Sequence, residues 1–186
     1  VELLLPPSIS LGYRPVHHQL IGSTWGQPVD DFWAIIYSRF NIPSDHLFPM
    51  TTHTGESIYP YFNCGVYVVR PEYGLMKRWQ DDFLNLYQDP VIQGYYQQDD
   101  KYAVFIHQVV FTGVMLAELR QEQLFELSPS HNYPLHLHHD VPEEQRPSSI
   151  WDLVSARYES IFWEDDWQSH PLVDEKFIEW LIGKRL

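Results

Sequence analysis

Residues 61–74, YFNCGVYVVRPEYG, interrupt a run of aromatic and β-branched side chains with an amide, a thiol and a glycine. Glycine lets another group approach the backbone, and the Asn63 amide can both donate and accept hydrogen bonds, as a hydroxyl-rich ligand requires. The same step also fits a bulge or strand-entry turn with Cys64 as a small buried hydrophobe. Cys64 is a weak candidate nucleophile, because no basic residue stands near it in sequence to favour the thiolate.

Two further groups could do chemistry. His131, His136, His138 and His139 precede Asp140. On a strand, His136 and His138 would share a face, and an H-x-H pair can ligate a metal such as zinc or manganese. A solvated histidine-rich loop between Pro134 and Pro142 is the competing reading. In FIHQVVFTGVMLAEL, His107 and Gln108 are polar residues in an apolar helical stretch, so each needs a hydrogen-bond partner from the protein or from a ligand. Thr112 and Gly113 fit close packing of that helix on a neighbour. The doublets Asp30-Asp31, Asp81-Asp82, Asp99-Asp100 and Asp165-Asp166 read as solvated or helix-end acids. No GxGxxG, Walker, G-x-S-x-G or HExxH pattern occurs, which removes the usual signatures of dinucleotide enzymes, P-loop ATPases, serine hydrolases and zincins.

The elements that must hold these residues follow from periodicity. Phe32, Trp33, Ile36, Tyr37 and Phe40 predict a helix behind Pro28. Ile58–Arg70 predicts a strand buried on both faces. Helices are expected over Leu75–Leu86 and Ile106–Leu119, and short strands over Gln123–Leu127 and Tyr133–His138. The last third is expected to be helical, with capping-box-like spacing at Ser149 and Asp152 and a final helix between Pro171 and Gly183. The expected class is α/β, a mixed sheet flanked by helices. At 186 residues one domain is expected: an irregular and helical segment over 1–57, the chemistry-bearing region over 58–140 and a helical part over 141–186.

Composition narrows the partners. A formal charge of −13 argues against a nucleic-acid partner, and no apolar run is long enough for a membrane helix. Carboxylates favour hard cations, so a nucleotide bridged by a metal stays compatible. One cysteine excludes an internal disulfide. The start, Val1-Glu2-Leu3-Leu4-Leu5, reads as a cut through something larger or a trimmed end, with the Leu3–Leu5 run covered by a partner or by a preceding part.

Taken in order, IYPYFNCGVYVVRPE, the KRWQDDF helix, the helix bearing His107-Gln108, and LFELSPSHNYP with its histidines resemble the later half of a GT-A type nucleotide-sugar glycosyltransferase. The likeness is to the glycogenin and bacterial galactosyltransferase group, and it covers roughly residues 58–140. It implies a Rossmann-like fold without its front part, a nucleotide-sugar donor, an acceptor and a divalent metal, manganese in this group. It places Asn63 and Gly65 beside the donor sugar, gives His107 and Gln108 the catalytic positions, and makes His136 or His138 the metal-binding histidine. His107 stands where the group has an Asp, and Asn132-Tyr133 match its turn in reversed order. The group's Asp-x-Asp motif is not found in these residues.

Three readings follow. A sugar transferase predicts that Asn63, Gln108 and the His136/His138 pair converge on one cleft. A non-catalytic binding or structural α/β module predicts that they scatter or are satisfied locally. A zinc protein would use the histidine cluster alone.

Overall fold

The computed structural model describes residues 5–183. Leu3 and Leu4 of the N-terminal apolar run lie outside that range.

Three short strands make the central sheet. β1 (Leu11–Tyr13) lies between β4 (Val68–Val69) and β5 (Leu124–Glu126), antiparallel to the first and parallel to the second. Leu11 pairs with both Val69 and Leu124, so the sheet is mixed. β2 (Met50–Thr51) pairs antiparallel with β3 (Ser57–Ile58), and β6 (Tyr133–Pro134) pairs parallel with β7 (Ala156–Arg157).

The core is built on α4 (Asp100–Glu118), which is buried on all sides from Val109 to Leu116. Against it pack α1 (Asp31–Arg39), α2 (Leu75–Tyr87) and α3 (Pro90–Tyr96). Gly113 admits the Phe40 ring at the end of α1, which a Cβ would meet at 2.4 Å. The expected close packing at Thr112-Gly113 is therefore a helix-to-ring contact. The acids act at helix ends as their positions suggest: Asp30, Asp89 and Asp99 cap α1, α3 and α4 through their side chains. Asp81 and Asp82 instead pair with Lys77 and Arg78 one turn earlier on α2. A second, smaller apolar cluster gathers Tyr133, Leu135, Val141, Ile161, Trp167, Leu172 and Phe177. Into it folds α5 (Glu175–Gly183), whose first turn Asp174 caps at Phe177 N.

The protein is α/β, but three sequence expectations are corrected. The strand over Ile58–Arg70 survives at its two ends, with one isolated antiparallel bridge between Phe62 and Pro15 in its middle. Between them the backbone donors of Phe62 and Cys64 go to side chains of α4 instead of a neighbouring strand, to Thr112 Oγ1 at 3.0 Å and Gln108 Oε1 at 3.2 Å. The strand over Tyr133–His138 stops at Pro134 and tightens into a 3-10 turn, Leu135–Leu137. The Ser149/Asp152 capping box is present, yet it opens only one 3-10 turn, Ile150–Asp152. The chain then runs into β7, because Tyr133 N and Val154 N bond across to Ser155 O and Ser130 O. α3 is an element the sequence pattern did not single out.

Candidate functional site

Asn63-Cys64-Gly65 forms a turn fastened at every donor. Asn63 N donates to Arg14 O at 2.9 Å, Cys64 N to Gln108, and Gly65 N to Asn63 Oδ1 at 2.6 Å. Gln108 and Thr112 lie four residues apart on α4, so one helix face holds two backbone donors of this segment. Cys64 packs against the core, and burial pushes its thiol up, which removes it as a nucleophile at neutral pH.

Gly65 is required by what lies over it. A Cβ there would stand 2.8 Å from both amide atoms of Asn132 and 2.9 Å from Asn63 Oδ1. Two amides from opposite parts of the chain thus meet across a glycine. Asn132 is fixed in turn by His17, whose Nε2 lies 2.9 Å from Asn132 O and 3.1 Å from Asn132 Nδ2. The His17 ring also stands edge-on to His136, with centroids 5.9 Å apart.

Beside these groups a cleft of about 350 Å³ opens, lined by Gly65, Asn132, Ala156, Arg157, Tyr158 and Glu159. Asn132 and Glu159 both take left-handed backbone, φ 52° and 45°. Asparagine tolerates that region; glutamate does so only when its surroundings hold it there. Arg157 Nε donates to the Glu159 carboxylate within the cleft. The Arg157 charge also reaches His17, His107 and His136, and helps burial hold each imidazole below its usual pKa.

The expected site residues separate as follows. Asn63 and Gly65 form one turn, which Gln108 holds from α4. His136 joins His17 near the Arg157–Glu159 pair. His107 is half-buried on α4, with Nδ1–H donating to Val104 O at 2.9 Å, which leaves Nε2 as an acceptor. His138 leaves the group: it is buried, with Nδ1 2.9 Å from the Tyr133 hydroxyl and its ring packed on His170. The 3-10 turn is the reason, since it rotates alternate residues apart where a strand would have kept them together. Among the described residues no group of three or more His, Cys, Asp or Glu side chains could hold a metal ion. The described residues therefore do not by themselves fit the expected divalent metal, and the histidine cluster alone does not make a zinc centre.

Residues that sequence reasoning passed over form a buried polar network around His17. Arg14, at the end of β1, is buried and donates to Glu126 Oε1 at 2.7 Å and Leu127 O at 2.8 Å, with Nη2 3.3 Å from His53 Nε2. An arginine has only donors, so His53 Nε2 accepts and the ring is neutral. Thr54 Oγ1 donates to His17 O at 3.1 Å and ties this loop to the cleft. The signal was an arginine and two histidines within five residues, RPVHH, directly after β1; the partners of Arg14 and His17 lie about forty and more than a hundred residues away.

This buried pair of imidazoles has a measurable consequence. Burial is the first cause that lowers His17 and His53, each to about 3. Unfolding restores ordinary values near 6.5, so the unfolded chain binds more protons between those limits. Their contribution is present above pH 6.5 and is lost as pH falls towards 3, at up to about 1.4 kcal/mol per pH unit for each ring. Melting curves should show Tm dropping through that window, and His53→Gln should flatten the slope. An unchanged slope in that variant would contradict the neutral-imidazole account.

The tryptophans outside the main helices differ in exposure. Trp163 is 80% exposed, whereas Trp167 is buried in the second cluster and Trp25 rests on Tyr59. A neighbouring apolar pocket of about 380 Å³ carries Trp151, Phe162 and Trp180, and shares Ala156 and Tyr158 with the polar cleft.

Fold and site together define a mixed α/β protein whose sheet and longest helix hold an Asn-x-Gly turn under a polar cleft. Residues 11–115, more than half of the chain and running from β1 through most of α4, match the family described as Rhodobacterales glycosyltransferase domain. The chain belongs to that family of glycosyltransferases. No curated protein and no solved structure matches it.

Proposed function

We propose that this chain transfers a sugar from a nucleotide-diphosphate donor to an acceptor hydroxyl, with the donor sugar lying over the Asn63–Gly65 turn. The observation that carries the reading is the meeting of Asn63 and Asn132 across Gly65 at the edge of the cleft. The reaction breaks the bond between the anomeric carbon and the diphosphate and forms one to the acceptor oxygen, whose proton must be taken up. Positive charge builds on the sugar ring at the transition state, and amide oxygens held beside it favour that charge. Fixed amides that orient the sugar hydroxyls contribute by positioning.

In this reading Gln108 is a positioning residue, acting through the Cys64 N–H it holds. The neutral Nε2 of His107 is suited to accept a proton, a different role from that of a protonated carboxylic acid. His136 is the histidine on the cleft side, and His138 supports the fold through Tyr133. A manganese ion would need ligands beyond this histidine pair, so no step is assigned to it.

Titration calorimetry with UDP and UDP-sugars, with manganese and with a chelator, tests the reading directly. Wild-type protein is expected to bind, and Asn63→Ala to weaken binding at least tenfold, since it removes the amide packed against Gly65 beside the cleft and with it the acceptor of Gly65 N–H. Binding untouched by Asn63→Ala would favour a non-catalytic α/β module.

A further inference from the structure

We propose that Arg157 binds the diphosphate of the donor, as the cation of the cleft; the inference rests on the transferase reading. A diphosphate approaching a chain of formal charge −13 meets net repulsion, so its site needs local positive charge. Among the described residues lining the cleft, Arg157 is the one cation. The histidines around it do not share that role, because His17, His107 and His136 are each depressed by burial and hence neutral at pH 7. The described residues hold no three-ligand cluster that would bring a metal in their place.

The location agrees with the chemistry. β7 ends at Arg157 and runs parallel to β6, which starts one residue after Asn132. The guanidinium is therefore carried on the strand adjoining the amide that faces Gly65, and it lines the same cleft as Gly65 and Asn132. A guanidinium offers several N–H donors in a planar fork and can engage two phosphate oxygens at once. Its present partner is Glu159, two residues on and held in left-handed backbone. Both side chains are nearly half exposed, 48% and 43%, and an exposed pair of that kind is readily exchanged for a dianionic ligand. Glu159 in this arrangement keeps the guanidinium on the cleft and competes with the anion for it.

The test uses inorganic pyrophosphate and UDP as probes, titrated calorimetrically into the chain in the presence of EDTA. Wild-type protein is expected to bind both; Arg157→Gln should weaken each at least tenfold, Arg157→Lys should fall between, and Glu159→Gln should bind more tightly than wild type. Circular dichroism and Tm should be alike in all four, because both side chains are exposed. Absence of binding to wild type in EDTA, or affinities for Arg157→Gln within twofold of wild type, would overturn the proposal. UDP binding that needs manganese and ignores Arg157 would do so while leaving the transferase reading intact. Arg157-dependent pyrophosphate binding without turnover of any UDP-sugar would uphold the anion site and sink the transferase reading.

Discussion

Gly65→Ala is expected to lower donor affinity or kcat/KM by roughly 10- to 100-fold while costing only about 1 kcal/mol of stability. The added methyl would lie 2.8 Å from Asn132 Nδ2 and Oδ1 and 2.9 Å from Asn63 Oδ1. Neither amide is free to yield without loss. Asn63 Oδ1 holds Gly65 N at 2.6 Å, and Asn132 Nδ2 faces His17 Nε2 at 3.1 Å. The groups displaced are short side-chain ends at the rim of a cleft, which is why the fold should survive while the geometry at the sugar does not. Calorimetry and melting curves on the same sample separate the two effects. The variant Asn132→Ala/Gly65→Ala sharpens the point, since it removes the two contacts to Asn132 and leaves only the 2.9 Å approach to Asn63 Oδ1: its Tm should recover part of the loss, and its donor binding should not. Normal donor binding by Gly65→Ala would mean that the sugar does not lie here.

Gly113→Ala is the larger expected loss of stability. In the interior of an exposed helix this change would be favourable by about 1 kcal/mol, since alanine is the better helix former. Here the new Cβ would fall 2.4 Å, 2.5 Å and 2.8 Å from three ring carbons of Phe40. The ring is buried, and Phe40 closes α1 through its N–H to Ile36 O, so it cannot swing out without moving the helix end. Overpacking of this kind costs typically about 1–3 kcal/mol net, a fall in Tm of several degrees and up to about 10 °C. Phe40→Leu in the Gly113→Ala background should recover part of the loss by making room. A rise in Tm for Gly113→Ala alone would show that helix propensity outweighs the contact and that α1 can slide.

The two glycines also show how far the sequence could be read. Both stood out in the chain, Gly65 inside an apolar run and Gly113 inside a helical one, because a residue without a side chain is conspicuous where side chains are needed. Their reasons were out of reach: Phe40 is more than seventy residues from Gly113, and Asn132 nearly seventy from Gly65. Helices α1, α2 and α4 were readable because their apolar periodicity is local, as are the aspartates that cap α1 and α4. The strand over Ile58–Arg70 was misread for the opposite reason. Its composition is that of a strand, but Gln108 and Thr112 supply the acceptors that a neighbouring strand would have supplied.

The sequence by itself determined the α/β class, the helices with strong periodicity, the Asn-Cys-Gly step as a place of interest, and a likeness to sugar transferases. The first three rest on residues close together in the chain, where spacing alone sets which side chains share a face, and the likeness rests on the order of several short motifs over residues 58–140. Tertiary structure alone decided that Asn132 meets Gly65, that His17 holds Asn132, that Arg157 stands at the cleft, and that His136 and His138 part company. Those facts depend on contacts across long stretches of chain and on one 3-10 turn. The choice between strand and turn there is made by pairing with β7, which no local pattern encodes.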